Sequence, residues 1–197
     1  RSNRIPPKTM RILISGGPGS GCTSTAQLLG KQLGLPVFDS DSYFHKPTDP
    51  PFQEQYTPEE RRELLSSALK SQPDWILSGS VATWGLAPVE PTHGIFLAIP
   101  KEVRLGRLAL RQRHQFGPRI DPGGDMQAEH ESFMDWAAGY EDRMETARNS
   151  TTDRLFLESQ CTHLLAIAEN QAMEELLPQI IGFLNSTNDD PHRHDRR

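Results

Sequence analysis

The sequence predicts an α/β domain in three layers, with helices covering both faces of a five-stranded parallel sheet. Three observations carry that expectation. Short apolar runs of strand length recur at residues 11–15, 36–39, 75–78, 94–99 and 163–168. Helical runs stand between them, at 23–33, 58–70, 101–113, 129–148 and 171–184. The first strand passes through the glycine-rich stretch S-G-G-P-G-S-G-C-T-S directly into the first helix. Strands that alternate with helices give a parallel sheet buried on both sides.

Each element has a local reason. The run Ile12-Leu13-Ile14 is short and apolar enough for a buried strand. Pro58 followed by Glu59 and Glu60 starts a helix, because proline suits the first turn and carboxylates suit its positive end. The stretch 101–113 places Arg104, Arg107 and Arg111 on one helical face, with Leu105, Leu108 and Ala109 opposite. The last helix carries Met173, Leu176, Leu177, Ile180, Ile181 and Leu184 on one stripe that packs on the sheet. Pro178 is expected to kink that helix or to mark its first turn. The stretches 46–57 and 116–127 interrupt the pattern and read as long loops, both candidate flaps over a nucleotide, the second a flap or lid spanning about 112–130. Residues 1–9 are expected to be a flexible extension, 10–184 the domain, and 185–197 a polar, disordered tail.

Composition excludes several classes. The length fits one domain with a real core. A net charge of -5 argues against nucleic acid or an anionic membrane surface as the main partner. No apolar stretch reaches the roughly 20 residues of a membrane span, and the N-terminal segment has no apolar signal region. The cysteines, Cys22 and Cys161, form no disulfide framework, so a reducing cytoplasm is the expected location. The oligomeric state is not legible.

The turn after the first strand fits G-x-x-x-x-G-K-[ST] through Gly16, Gly21 and Thr23, with Cys22 where the lysine belongs. Gly16, Gly17, Gly19, Ser20, Gly21, Cys22, Thr23 and Ser24 are therefore the expected cradle for nucleotide phosphates. Its backbone N–H groups turn inward at a helix N-terminus, where partial positive charge favours anions. Thr23 can place its hydroxyl on a magnesium ion, whereas Cys22 supplies an amide and no ammonium. A thiol at a helix N-terminus is also expected to ionise more easily than usual. The second strand ends in F-D-S-D-S-Y. Its carboxylates, Asp39 and Asp41, can serve a metal and a substrate hydroxyl, or cap a helix.

These motifs resemble the shikimate- and nucleotide-kinase group of P-loop proteins. They are still more similar to bacterial adenylate-kinase-like proteins termed AAA-family ATPases, which lack the loop lysine. The matching segments are 16–24, 39–43, P-T-D-P-P-F at 47–52, W-I-L-S-G-S at 75–80 and G-G-D-M-x-x-x-H at 123–130. The resemblance implies a three-layer P-loop NTPase fold that binds ATP or GTP with Mg2+. It implies Asp39 on the metal side and Asp41 facing an acceptor hydroxyl, and it brings Gly79 and Ser80 to the acceptor. Phosphoryl transfer needs positive charge on the moving group. In nucleotide kinases lid arginines meet that need, which implies Arg111 or Arg119 here, with Arg107 and Lys46 as further candidates, while Arg104 is expected on a solvated face. The expected partners are a nucleotide and an unidentified small acceptor. A non-catalytic nucleotide sensor and a simple NTP hydrolase remain the alternatives.

Overall fold

Successive residues of β1 (Arg11–Gly16) point to opposite layers, and the two cores follow from that alternation. Ile12 and Ile14 pack with Ala26 and Leu29 of α1 (Cys22–Leu33) and with Leu176, Ile180 and Leu184 of α7 (Met173–Asn188). Leu13 packs on the other side with Leu65 and Leu69 of α3 (Pro58–Lys70) and Leu157 of α6 (Ser150–Gln160). The structure is a computed structural model and describes residues 9–49, 52–85, 90–144 and 147–188. The expected extension lies almost wholly outside those residues.

The remaining strands are β2 (Val37–Asp39), β3 (Trp75–Ser78), β4 (His93–Leu97) and β5 (His163–Ile167). All pair in parallel, in the order β2-β3-β1-β4-β5. From β1 the chain leaves towards the β2 edge, and from the adjacent β4 it leaves towards β5. The crevice at such a switch point is where open α/β sheets bind ligands. The remaining helices are α2 (Asp41–Phe44), α4 (Lys101–Phe116) and α5 (Gln127–Ala138).

The predicted start of α3 is present as a capping box: Thr57 accepts from the Glu60 amide, and Glu60 accepts from the Thr57 amide. Other boundaries differ. The expected helix over 129–148 ends at Ala138, where Gly139 closes it and Tyr140 turns inward. A separate helix, α6, begins at Asn149, whose side chain accepts from the Thr152 amide at 2.8 Å. The expected loop over 116–127 is largely local structure: α4 extends to Phe116 and a 3-10 turn covers Gly117–Ile120. Pro178 lies inside α7 rather than in its first turn, and α7 runs through Asn188, past the expected end at 184. The rest of the expected tail, 189–197, lies outside the described residues. Within 46–57 the described residues fold back on themselves, with Lys46 N–H donating to Glu54 and Tyr56 N–H to Phe44.

Candidate functional site

The glycine-rich turn is held in a shape only glycine tolerates. Gly19 has φ +82°, and a Cβ there would lie 2.5 Å from the Arg104 carbonyl oxygen and 2.9 Å from Leu108 Cγ. A Cβ on Gly17 would lie 2.7 Å from the Tyr140 ring and 2.9 Å from the Arg104 guanidinium. The loop is thus pressed against α4 and Tyr140. Ser20 N–H closes the turn onto Gly17 at 3.0 Å, and the α1 ladder starts when Thr25 N–H reaches Gly21 at 2.9 Å. Cys22, Thr23 and Ser24 form the first turn of α1, with Thr23 and Ser24 exposed.

Thr23 donates its hydroxyl to Asp39 Oδ2 at 2.7 Å, so the end of β2 does meet the loop. The other oxygen, Oδ1, accepts from Asp41 N–H at 2.9 Å. Asp39 therefore braces the start of α2 with one oxygen and faces the loop with the other. Two hard oxygen donors side by side suit Mg2+, which takes few protein ligands and fills its shell with water and phosphate oxygens. The donor set fits that ion. Among the described residues no group of three His, Cys, Asp or Glu side chains is placed to hold a metal alone. Burial and the neighbouring Asp39 raise the Asp41 carboxyl above the usual carboxylate range, opposed by Arg148, His45 and Arg111.

Cys22 departs from expectation. Burial pushes its thiol up to about 11, and its sulfur lies 3.3 Å from Ser20 Oγ. Desolvation outweighs the helix N-terminus, so this is a neutral thiol and not an easily ionised one. Ser80 also departs: it is buried and donates to Asp153 of α6 rather than facing an acceptor. Gly79, at φ +112°, gives its close approach to the Ser40 side chain.

The arginines separate into distinct environments. Arg104 was expected in solvent and is only 1% exposed. It donates to the Pro18 carbonyl at 2.8 Å, pairs with Glu141 and lies against the Tyr140 ring. Its apolar-facing position on α4 places it beneath the loop, where burial requires that partner. Arg107 donates to the Ser20 carbonyl at 3.2 Å and to Asn170 at 2.7 Å, binding loop to scaffold. Arg111 is exposed on the same helix, and its charge is felt at Asp41. Arg119 lies in the lid, paired through two nitrogens with Asp125, while Arg113 reaches Asp121 through Nη2 alone and the Gly117 carbonyl through Nη1. Lys46 faces Glu54 and the Tyr56 ring.

Three site residues escaped the sequence reading. Arg148 donates from Nη2 to the Gly16 carbonyl at 2.9 Å. Tyr140 donates to the buried Asp153 at 2.7 Å. Asp153 also accepts from Ser80, and burial raises its carboxyl above the usual range. The signal was the run R-N-S-T-T-D, in which Asn149 caps a new helix and turns Asp153 inward.

No family model matches the chain. It is 28% identical over 177 residues to the uncharacterized protein YqaC of Bacillus subtilis (strain 168), covering 89% of this chain and 97% of that one. Among solved structures it resembles shikimate kinase from Acinetobacter baumannii in complex with shikimate, at TM-score 0.53 and 17% identity, over 93% and 97% of the two chains. It also resembles shikimate kinase from Bacteroides thetaiotaomicron, at TM-score 0.51 and 18% identity, over 89% and 98%. A gluconokinase from Sinorhizobium meliloti 1021 matches at TM-score 0.51 and 14% identity, over 95% and 98%. At such identities the likeness is one of fold, and the fold is that of the P-loop kinases.

Proposed function

We propose that this protein is a magnesium- and ATP-dependent phosphotransferase that moves a γ-phosphoryl group to a hydroxyl of a small acceptor. The observation that carries the reading is the Thr23–Asp39 contact, which brings the magnesium-type donors of the loop beside the second carboxylate, Asp41. The loop amides from Gly19 to Ser24 would hold the phosphates, and Thr23 with Asp39 would hold Mg2+, which would draw charge from the phosphate oxygens when bound. Asp41 would accept the acceptor's proton. Its raised pKa suits that task, because a base works best when its pKa approaches the working pH. GTP in place of ATP fits the loop equally, since the loop reads phosphates. Kinship with adenylate-kinase-like proteins accords with the missing lysine.

A nucleotide sensor is the second reading, favoured by one observation: position 22 holds a neutral thiol where a catalytic cation usually stands. Two measurements separate them. Calorimetric titration with ATP should show tighter binding with Mg2+ than with EDTA, and Thr23→Ala should remove that difference. ADP should then form only when a suitable hydroxyl acceptor is present. Binding without any acceptor-dependent ADP selects the sensor, and ADP release independent of acceptor selects a hydrolase.

A further inference from the structure

The loop lacks its lysine, yet a guanidinium stands against its first residue. We infer that Arg148 supplies the positive charge that Cys22 withholds, as the phosphate-binding cation of this site. The inference rests on the nucleotide-binding reading above.

Two of the arginines that touch the loop backbone differ in how their charge is met. Arg104 reaches Pro18 O and Arg148 reaches Gly16 O, and each leaves a buried Nε without a hydrogen-bond partner. Arg104 is fully buried and ion-paired with Glu141, so its charge is neutralised and its role is to clamp the loop. Arg148 is different. Among the described residues its nearest carboxylate, Asp153, stands 3.9 Å away, and the Asp153 oxygens already accept from Ser80 and Tyr140. Its side chain keeps a quarter of its surface exposed. Of the other arginines, Arg107, Arg113 and Arg119 hold carbonyls, Asn170, Asp121 or Asp125, while Arg111 stands exposed on α4 and makes no contact with the loop backbone among the described residues.

Arg148 is also held in place, as a preorganised donor must be. Arg143 donates to the Arg148 carbonyl at 2.7 Å and to the Trp136 carbonyl at 2.6 Å. The Arg148 guanidinium lies 5.6 Å from the Trp136 ring centroid, a cation–π contact that fixes its plane. Ser150 N–H reaches the Tyr140 carbonyl at 2.9 Å, tying the start of α6 to the residue that lines Gly17. A planar fork held this way suits bidentate phosphate binding.

The test is titration with Mg-ATP. Arg148→Ala should weaken binding by about tenfold or more, the scale for a charged hydrogen bond. Adding Cys22→Lys to that variant should restore much of the loss, because the lysine then supplies the charge from its usual place. Arg148→Gln keeps a donor for the Gly16 carbonyl while removing charge, so it reads the charge alone should the alanine variant fail to fold. Arg154→Ala, an exposed α6 control paired with Glu158, should bind as the wild type does. Wild-type affinity in both Arg148→Gln and Arg148→Ala, or no recovery on adding Cys22→Lys, would overturn the inference. A wild type that binds no Mg-ATP would instead overturn the nucleotide reading, and this inference with it.

Discussion

Gly19 and Gly123 have nearly the same backbone angle, φ +82° and φ +84°, and sit in opposite surroundings. A Cβ at Gly19 would strike the α4 backbone, whereas at Gly123 it would meet nothing within 4 Å. The first glycine belongs to the phosphate loop and the second to the lid turn between α4 and α5. The loop is wedged between α4, Tyr140 and the sheet, while the lid is held by exposed ion pairs, Arg113–Asp121 and Arg119–Asp125. Such exposed pairs contribute little to stability. The contrast teaches how packing differs between the two turns, and under the proposed function it would divide the labour between a rigid loop that receives phosphate and a lid that rearranges over it.

The largest effect should separate the two glycines. Gly19→Ala combines a left-handed backbone, costing about 1–2 kcal/mol for any other residue, with a clash against backbone that cannot move aside. Thermal unfolding and Mg-ATP titration should show a markedly lower Tm and no measurable binding. Gly123→Ala should carry the backbone term alone and keep its affinity. Equal damage from both would break the distinction.

Asp41→Asn is next. It should lower kcat by about 10²-fold or more, the scale for a lost general base, with Mg-ATP affinity nearly unchanged. In the wild type, kcat/KM should rise with pH through a midpoint above the usual aspartate value, since burial and Asp39 make Asp41 hold its proton longer. Arg148→Ala removes a charge that favours the ionised form, so that midpoint should move further up.

Arg119→Ala reads the lid. Its pair with Asp125 is exposed, so Tm should hardly move. If the lid closes on nucleotide and this arginine leaves Asp125 for phosphate, kcat should fall by roughly 10²-fold. An unchanged kcat would leave Arg119 as a lid staple only. Smallest of all is Cys22→Ala, expected to change Mg-ATP affinity by less than about 1 kcal/mol, because position 22 contributes an amide.

The sheet, its parallel sense and the meeting of Thr23 with Asp39 were legible because they depend on local patterns: apolar runs, glycine spacing, a carboxylate at a strand end. Arg104, Ser80 and Arg148 were not. An arginine in a basic helical run has the same sequence signature whether solvent or Glu141 meets it, and only the packing of α4 on the loop decides between them. The break at Gly139 and the Asn149 cap were written in the chain. They were overridden by the apparent helical run from 129 to 148, and with them went the buried Asp153 and the arginine beside it.

Phosphorus NMR of the wild-type protein with Mg-ATP and pools of sugars, hydroxy acids and nucleosides tests the central claim most directly. The account predicts a new phosphomonoester resonance that grows in step with ADP in at least one pool and is absent with Asp41→Asn. Growth of inorganic phosphate alone, at the same rate in every pool, would contradict phosphoryl transfer to an acceptor.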